Sequence, residues 1–227
     1  EVLAGIRERV LELNDLQASV WRDEVRPALA DEGIVVTNMD ALPEREQDDL
    51  HSRFEREIEP VLIPLAVGPG LPFPYISGLS LNLGLTVRDP STGESRFARI
   101  KVPRTVPRLV RAGDMLVPVE QVIAANLAQV FPGMEITRRV LFRVTRDADF
   151  SISDEADDLL NAVERELSRR RFGGPVRLEV EARSSNTLLE EIKEGIGVTD
   201  SEVYPVSSLL DLTGTIRFET LAGDIQA

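Results

Sequence analysis

Between Glu94 and Asp114 the chain carries Arg96, Arg99, Lys101, Arg104, Arg108 and Arg111 and no acid, a segment of +6 in a chain whose net charge is -13. Guanidinium forks bind phosphate oxygens bidentately and an ammonium binds them as a point charge, so the cluster suits a phosphate or polyanion. The same six residues also suit the solvent face of a hairpin, or pairing with acids on another domain. Side chains alternate on a strand, which places Arg99 and Lys101 on one face, and the proline-rich backbone that follows holds the next arginines in a stiff loop.

A second basic group is Arg138, Arg139, Arg143 and Arg146. Alternation sets Arg139 and Arg143 on one face and Arg138 and Arg146 on the other, so the four converge only if a bulge intervenes. His51 is the only histidine, and no serine, cysteine or ligand set accompanies it, so it reads as a surface or edge-of-core residue. The run Asp147, Asp149, Ser151, Ser153, Asp158 has the odd spacing of a calcium loop, but Ile152 stands where that loop needs glycine. Its acids fit the first turn of a helix instead. None of these residues makes an active site, and no metal or cofactor site is expected in the chain.

The elements that hold the basic segment are organised around residues 60–89. Five prolines and four glycines crowd the first 25 of these residues, and the pattern then switches to alternating Leu81, Leu83, Leu85 and Val87. Proline fixes φ and lacks an N–H, so the first part is a stiff connector (60–78) and the second a half-buried strand. Turn residues 89–93 return the chain as a hairpin through 97–102. Upstream, Val2, Leu3, Ile6, Val10, Leu13 and Val20 form a helical stripe over about 2–25, Pro27 breaks or restarts the helix, and Gly33 stops it before the strand Ile34, Val35, Val36. Leu50, Phe54 and Ile58 mark a second helix. Downstream, 103–118 reads as irregular apart from a short strand near 115–117. A helix then opens at Pro118, a strand spans 136–145, and a helix follows from Ser153 to the triple arginine at 169–171. Next come a strand over 176–182 and a short helix from Asn186, and beyond Val198 the pattern fades. The result is an α+β fold, a helical N-terminal segment followed by a mainly antiparallel sheet with helices.

The 227 residues suit one or two domains, and the absence of cysteine rules out disulfides and fits a reducing cytoplasm. The acidic balance disfavours general nucleic-acid binding, and the longest apolar runs are too short for a transmembrane segment. The chain opens at Glu1 within a helical pattern, as a piece of a longer protein would.

Long ordered motifs resemble bacterial polyphosphate kinase: EPVLIPLAVGPGLPFPYISGLSLNLGL (59–85), RFARIKVPRTVPRLV (96–110), LVPVEQVIAANLAQVFPGMEI (116–136), FRVTRDADF (142–150), RRRFGGPVRLEVE (169–181) and, near the start, PALADEGI (27–34). The resemblance implies the end of the N-terminal helical domain (1–32) and then the head domain (33–227), a module similar to phox domains. It implies a phosphotransferase that moves phosphate reversibly between ATP and inorganic polyphosphate, with ATP, Mg and a phosphorylated histidine held by later domains. His51 matches none of the family's catalytic histidine motifs. For this piece the resemblance implies self-association as dimer or tetramer, contact with the catalytic domains, and a border on the polyphosphate path. The other reading is a stand-alone polyanion or phosphoinositide-binding module.

Overall fold

The computed structural model describes residues 2–68, 72–147, 173–182, 184 and 186–212. Its centre is β3 (Leu81–Arg88), where the alternating leucines face one side as expected, yet Asn82, Gly84 and Thr86 on the other side are buried as well. The strand is covered on both faces rather than one. It sits inside a six-stranded sheet ordered β2 (Pro64–Ala66), β4 (Ser95–Lys101), β3, β7 (Glu135–Arg146), β8 (Pro175–Glu181), β9 (Val203–Val206). All pairs are antiparallel except β8 with β9.

On the leucine side, β3 packs against Leu50 of α3 (Glu44–Arg53), the continuing turn with Phe54 and Ile58, and Val122 and Ile123 of α4 (Val119–Ala125). The expected i, i+4, i+8 stripe of Leu50, Phe54 and Ile58 is therefore the core face of this helix. On the other side, Phe97, Phe142, Leu178 and Val180 meet Leu188 and Ile192 of α6 (Asn186–Ile196). Gly84 makes that approach possible, because a Cβ there would lie 2.9 Å from Ile192 Cδ1. A short α5 (Leu127–Val130) follows α4, and Gly133 at φ 76 turns the chain into β7.

A second sheet runs β1 (Val35–Val36), β6 (Met115–Pro118), β5 (Leu109–Ala112). Here one expectation is corrected, since 103–118 is not irregular around a lone strand. Leu109, Val110 and Ala112 are buried in a hairpin that turns at Gly113, φ 57, a signal hidden in the sequence by the neighbouring prolines. The helix expected over about 2–25 is present and continues: α1 (Val2–Val20) passes through a π-helical segment into α2 (Arg26–Asp31), and Pro27, which has no N–H to give the preceding turn, stands just after that segment. Gly33, φ 81, ends it, and Trp21 and Leu29 cover Ile34, Val36, Leu109 and Leu116. The expected apolar stripe of α1 does not face the sheet. Val2, Leu3, Ile6 and Leu13 are exposed, and Ala18 is the residue that is buried.

The tail beyond Val198, which has little pattern, holds a 3-10 turn with a Thr199–Glu202 capping box and then β9. The units β8, α6 and β9 thus form a parallel βαβ crossover within an otherwise antiparallel sheet. The helix expected over 153–171 and most of the calcium-like run lie outside the described residues. The architecture is α+β, as the pattern implies.

Candidate polyanion-binding surface

Strand register distributes the six basic residues of 96–111. Arg99, on β4 opposite Gly84 and Leu65, is buried at 7% exposure. Its Nε donates to Asn82 Oδ1 at 2.9 Å and its Nη1 to the Tyr75 carbonyl at 3.1 Å. Burial lowers the pKa of this guanidinium below its usual value, without a carboxylate to oppose it. Lys101 lies two residues along on the same face and is exposed, as alternation requires. Arg104, also exposed, donates to the Leu79 carbonyl at 3.4 Å. Arg99 and Arg104 thus both bond carbonyls in the stretch 75–79, and Lys101 lies between them in the chain.

The other three point elsewhere. Arg96 turns to Glu94 at 2.8 Å. Arg108 is buried against Glu120 of α4 and donates to the Leu210 carbonyl at 2.9 Å. Arg111 lies on β5, in the second sheet, where its carbonyl accepts from Arg53.

The second basic group contributes one member. The four do not converge, but Arg146 continues the face of Val140, Phe142 and Val144 and turns onto the connector, while the register shift beside it leaves Val176 of β8 unpaired. Its Nε donates to the Ile76 carbonyl at 2.7 Å, its Nη1 to the Gly173 carbonyl at 2.8 Å, and its guanidinium lies 4.4 Å from the centre of the Tyr75 ring. Arg143 instead meets Glu179 and Asp211, while Arg138 and Arg139 are exposed on β7. Alternation already sets Arg146 on the face of Val140, Phe142 and Val144, which Arg99 shares with Phe97; what the spacing does not reveal is that the connector lies over that face.

The connector is therefore gripped at Tyr75, Ile76 and Leu79 by three arginines that donate to backbone carbonyls. A carbonyl satisfies the N–H groups but does not cancel the charge. Among the described residues, the ion pairs within 4.0 Å include none made by Arg99, Lys101, Arg104 or Arg146. Between these cations the Ser80 hydroxyl donates to the Ser77 carbonyl at 2.7 Å, and Leu79 adopts φ 58. The serine hydroxyls are spent within this turn, Ser77 donating to Ser80, so what the arrangement offers an oxyanion is the positive charge of the exposed cations on a stiff backbone.

His51 is used structurally. Asn126 commits its amide nitrogen to the Val122 carbonyl, so its Oδ1 accepts from His51 Nδ1 at 2.6 Å. Among the described residues, no three His, Asp or Glu side chains come together to hold a metal, and no helix is long and apolar enough to cross a membrane.

Residues 45–218 match the family model described as polyphosphate kinase middle domain. The chain is 47% identical over 223 residues to a polyphosphate kinase of Streptomyces coelicolor, covering 97% of this chain and 30% of that protein. It is 44% identical over 230 residues to a polyphosphate kinase of Mycobacterium tuberculosis, covering 94% of this chain and 31% of that protein. The crystal structure of polyphosphate kinase from Porphyromonas gingivalis superposes with a TM-score of 0.75 at 22% identity, over 94% of this chain and 31% of that one, which establishes the shared fold. The chain spans about a third of the length of these relatives. By the extent of the middle-domain match, the chain belongs to the polyphosphate kinase family.

Proposed function

We propose that this chain is a noncatalytic portion of a polyphosphate kinase, acting in the cytoplasm, that supports subunit association and borders the path of the polyphosphate chain. The parent enzyme reversibly transfers the terminal phosphate of ATP to inorganic polyphosphate. The match of residues 45–218 to the middle domain carries this reading. On this reading ATP, Mg and the phosphorylated histidine belong to other domains of the parent enzyme. On the polyphosphate path, the sequence-derived contacts Arg96, Arg99, Lys101, Arg104, Arg108 and Arg111 narrow to Lys101 and Arg104. These two are exposed and lie beside the connector, with Arg146 added to them.

The 227-residue protein is expected to show no ATP-dependent polyphosphate synthesis; robust turnover would overturn the assignment. A second reading, a stand-alone polyanion or phosphoinositide-binding module, draws on the same uncompensated cations. Titration with short polyphosphate at two salt concentrations separates the possibilities, because each displaced counterion adds to the salt dependence. On the path reading, binding weakens with salt, and Lys101→Ala with Arg104→Ala flattens the slope. A purely architectural domain self-associates in sedimentation and binds no polyphosphate. A preference for phosphoinositide vesicles over polyphosphate favours the stand-alone module.

A further inference from the structure

The two glycines at the end of α6 have different reasons to be there. Gly197 lies just beyond the helix at φ 81, where its N–H donates to the Lys193 carbonyl at 2.8 Å, so it ends the helix in the left-handed region. Gly195 lies inside α6 and does not adopt that backbone. It follows Leu188 by seven residues and Ile192 by three, which sets it on the face those two turn into the core. Glycine weakens a helix interior and gives up packing on such a face, so the reason for this one must be space.

Phe73 of the connector takes that space. A Cβ on Gly195 would lie 2.6 Å from Phe73 Cε2 and closer still to Cγ and Cδ2, so the ring stands where an alanine methyl would have to go. The same ring meets Phe97 of β4, with centroids 4.6 Å apart and planes tilted by 34°. The connector is thereby wedged between α6 and the sheet, and Ile76, 1% exposed, is buried in the same cluster. Two residues after Phe73, the Tyr75 carbonyl accepts from Arg99, and the Tyr75 ring lies 4.4 Å from the Arg146 guanidinium. Arg146 Nε donates to the next carbonyl, that of Ile76, at 2.7 Å. Of the contacts that hold Arg146, the Gly173 carbonyl on Nη1 is outside the connector, and the other two move with it.

We infer that Gly195 is a positioning residue for the polyanion-binding surface: by admitting Phe73 it fixes the backbone at Tyr75 and Ile76, and with it the direction of Arg146. The inference rests on the reading of that surface as a polyphosphate contact. Gly195 acts through Phe73, Tyr75 and Ile76, and only the Arg146 guanidinium meets the phosphate chain. A cation already held in place binds without the cost of ordering its side chain, which is what the wedged ring contributes.

The test is calorimetric titration of tripolyphosphate into the 227-residue chain at two salt concentrations, with hydrogen exchange of residues 72–79 followed in parallel. Gly195→Ala should quicken that exchange, weaken binding about tenfold, the loss expected for one charge-assisted hydrogen bond, and flatten the salt dependence. Arg146→Gln should weaken binding to a similar degree. Adding Gly195→Ala to Arg146→Gln should then cost no further affinity, because both act on one contact, whereas a general loss of structure would add to it. Should Gly195→Ala fail to fold, Phe73→Ala decides, since it removes the wedge from the other side and should weaken binding equally. Binding that neither Gly195→Ala nor Phe73→Ala alters refutes the positioning role while leaving the polyphosphate reading intact, as do losses that add in the double variant. A parent chain that shows no salt-dependent binding refutes the polyphosphate reading and the inference with it.

Discussion

Arg99 of β4 and Asn82 of β3 meet diagonally, two positions out of register, and the guanidinium Nε donates to the amide oxygen at 2.9 Å in the buried interior. Asn82 in turn spends its amide nitrogen on the Ser80 carbonyl at 2.7 Å, and Arg99 reaches on to the Tyr75 carbonyl. The pair therefore ties the connector to the middle of the sheet. A buried cation without a carboxylate survives here with Nε and Nη1 each donating to an oxygen acceptor.

Replacing Arg99 by Met keeps the aliphatic stem but leaves Asn82 Oδ1 and the Tyr75 carbonyl without donors. Each orphaned acceptor costs roughly 1–2 kcal/mol, so urea denaturation should report a loss of about 2–4 kcal/mol. Hydrogen exchange in 72–80 should quicken at the same time. A loss under about 0.5 kcal/mol would mean that the arginine merely fills space.

Gly84 sets how closely α6 approaches the sheet. A Cβ there would meet Ile192 Cδ1 at 2.9 Å and Phe142 Cε1 at 3.2 Å. Gly84→Ala should destabilise by about 1–3 kcal/mol through overpacking. Ile192→Val removes the clashing methyl, so the double variant should lose less than the sum of the two single losses. Strict additivity in a thermal or urea cycle would contradict the proposed contact.

Where a fold signal lies within one element, the residues reveal it. Leu50, Phe54 and Ile58 repeat at helical spacing because one face meets the core, and β3 and β7 are rich in alternating apolar residues for the same reason. What stays hidden depends on partners far along the chain. Strand β9 exists because Val203 and Tyr204 pair with Leu178 and Glu179, and the short run alone carries too little pattern. The basic segment looks like one cluster because its acid partner for Arg108, Glu120, arrives only in the next helix. Alternation gives the face of Arg146, but that the connector crosses this face at Tyr75 and Ile76 depends on residues seventy positions away.

Leu79 holds φ 58, the left-handed region that a side chain disfavours, while its N–H donates to the Val144 carbonyl at 2.7 Å. Its side chain is 46% exposed, so little packing is lost when it is removed. Relief of roughly 1–2 kcal/mol of strain exceeds the roughly 0.5–1 kcal/mol that glycine costs in chain entropy. Leu79→Gly should therefore be as stable as the parent or more stable, by up to about 1 kcal/mol on the same figures. A clear drop in the urea midpoint would show that the exposed leucine is held by contacts worth more than the strain.

Arg108 and Glu120 form a buried ion pair that joins β5 to α4, and burial pushes the Glu120 carboxyl above its ordinary 4.5 while Arg108 opposes the shift. A carboxyl raised in the folded state binds more protons there than in the unfolded chain. Its contribution is therefore complete below the unfolded pKa and is lost as pH rises through the folded value. Arg108→Met removes the opposing cation, which raises the folded value further and leaves an unpaired buried carboxylate at neutral pH. The variant should lose about 3–5 kcal/mol near pH 7.5 and distinctly less near pH 4.5, where Glu120 takes up a proton. Part of the loss is independent of pH, because the Leu210 carbonyl also loses its donor. Urea midpoints at the two pH values measure the difference, and an equal loss at both would mean that Glu120 is not the charge Arg108 balances.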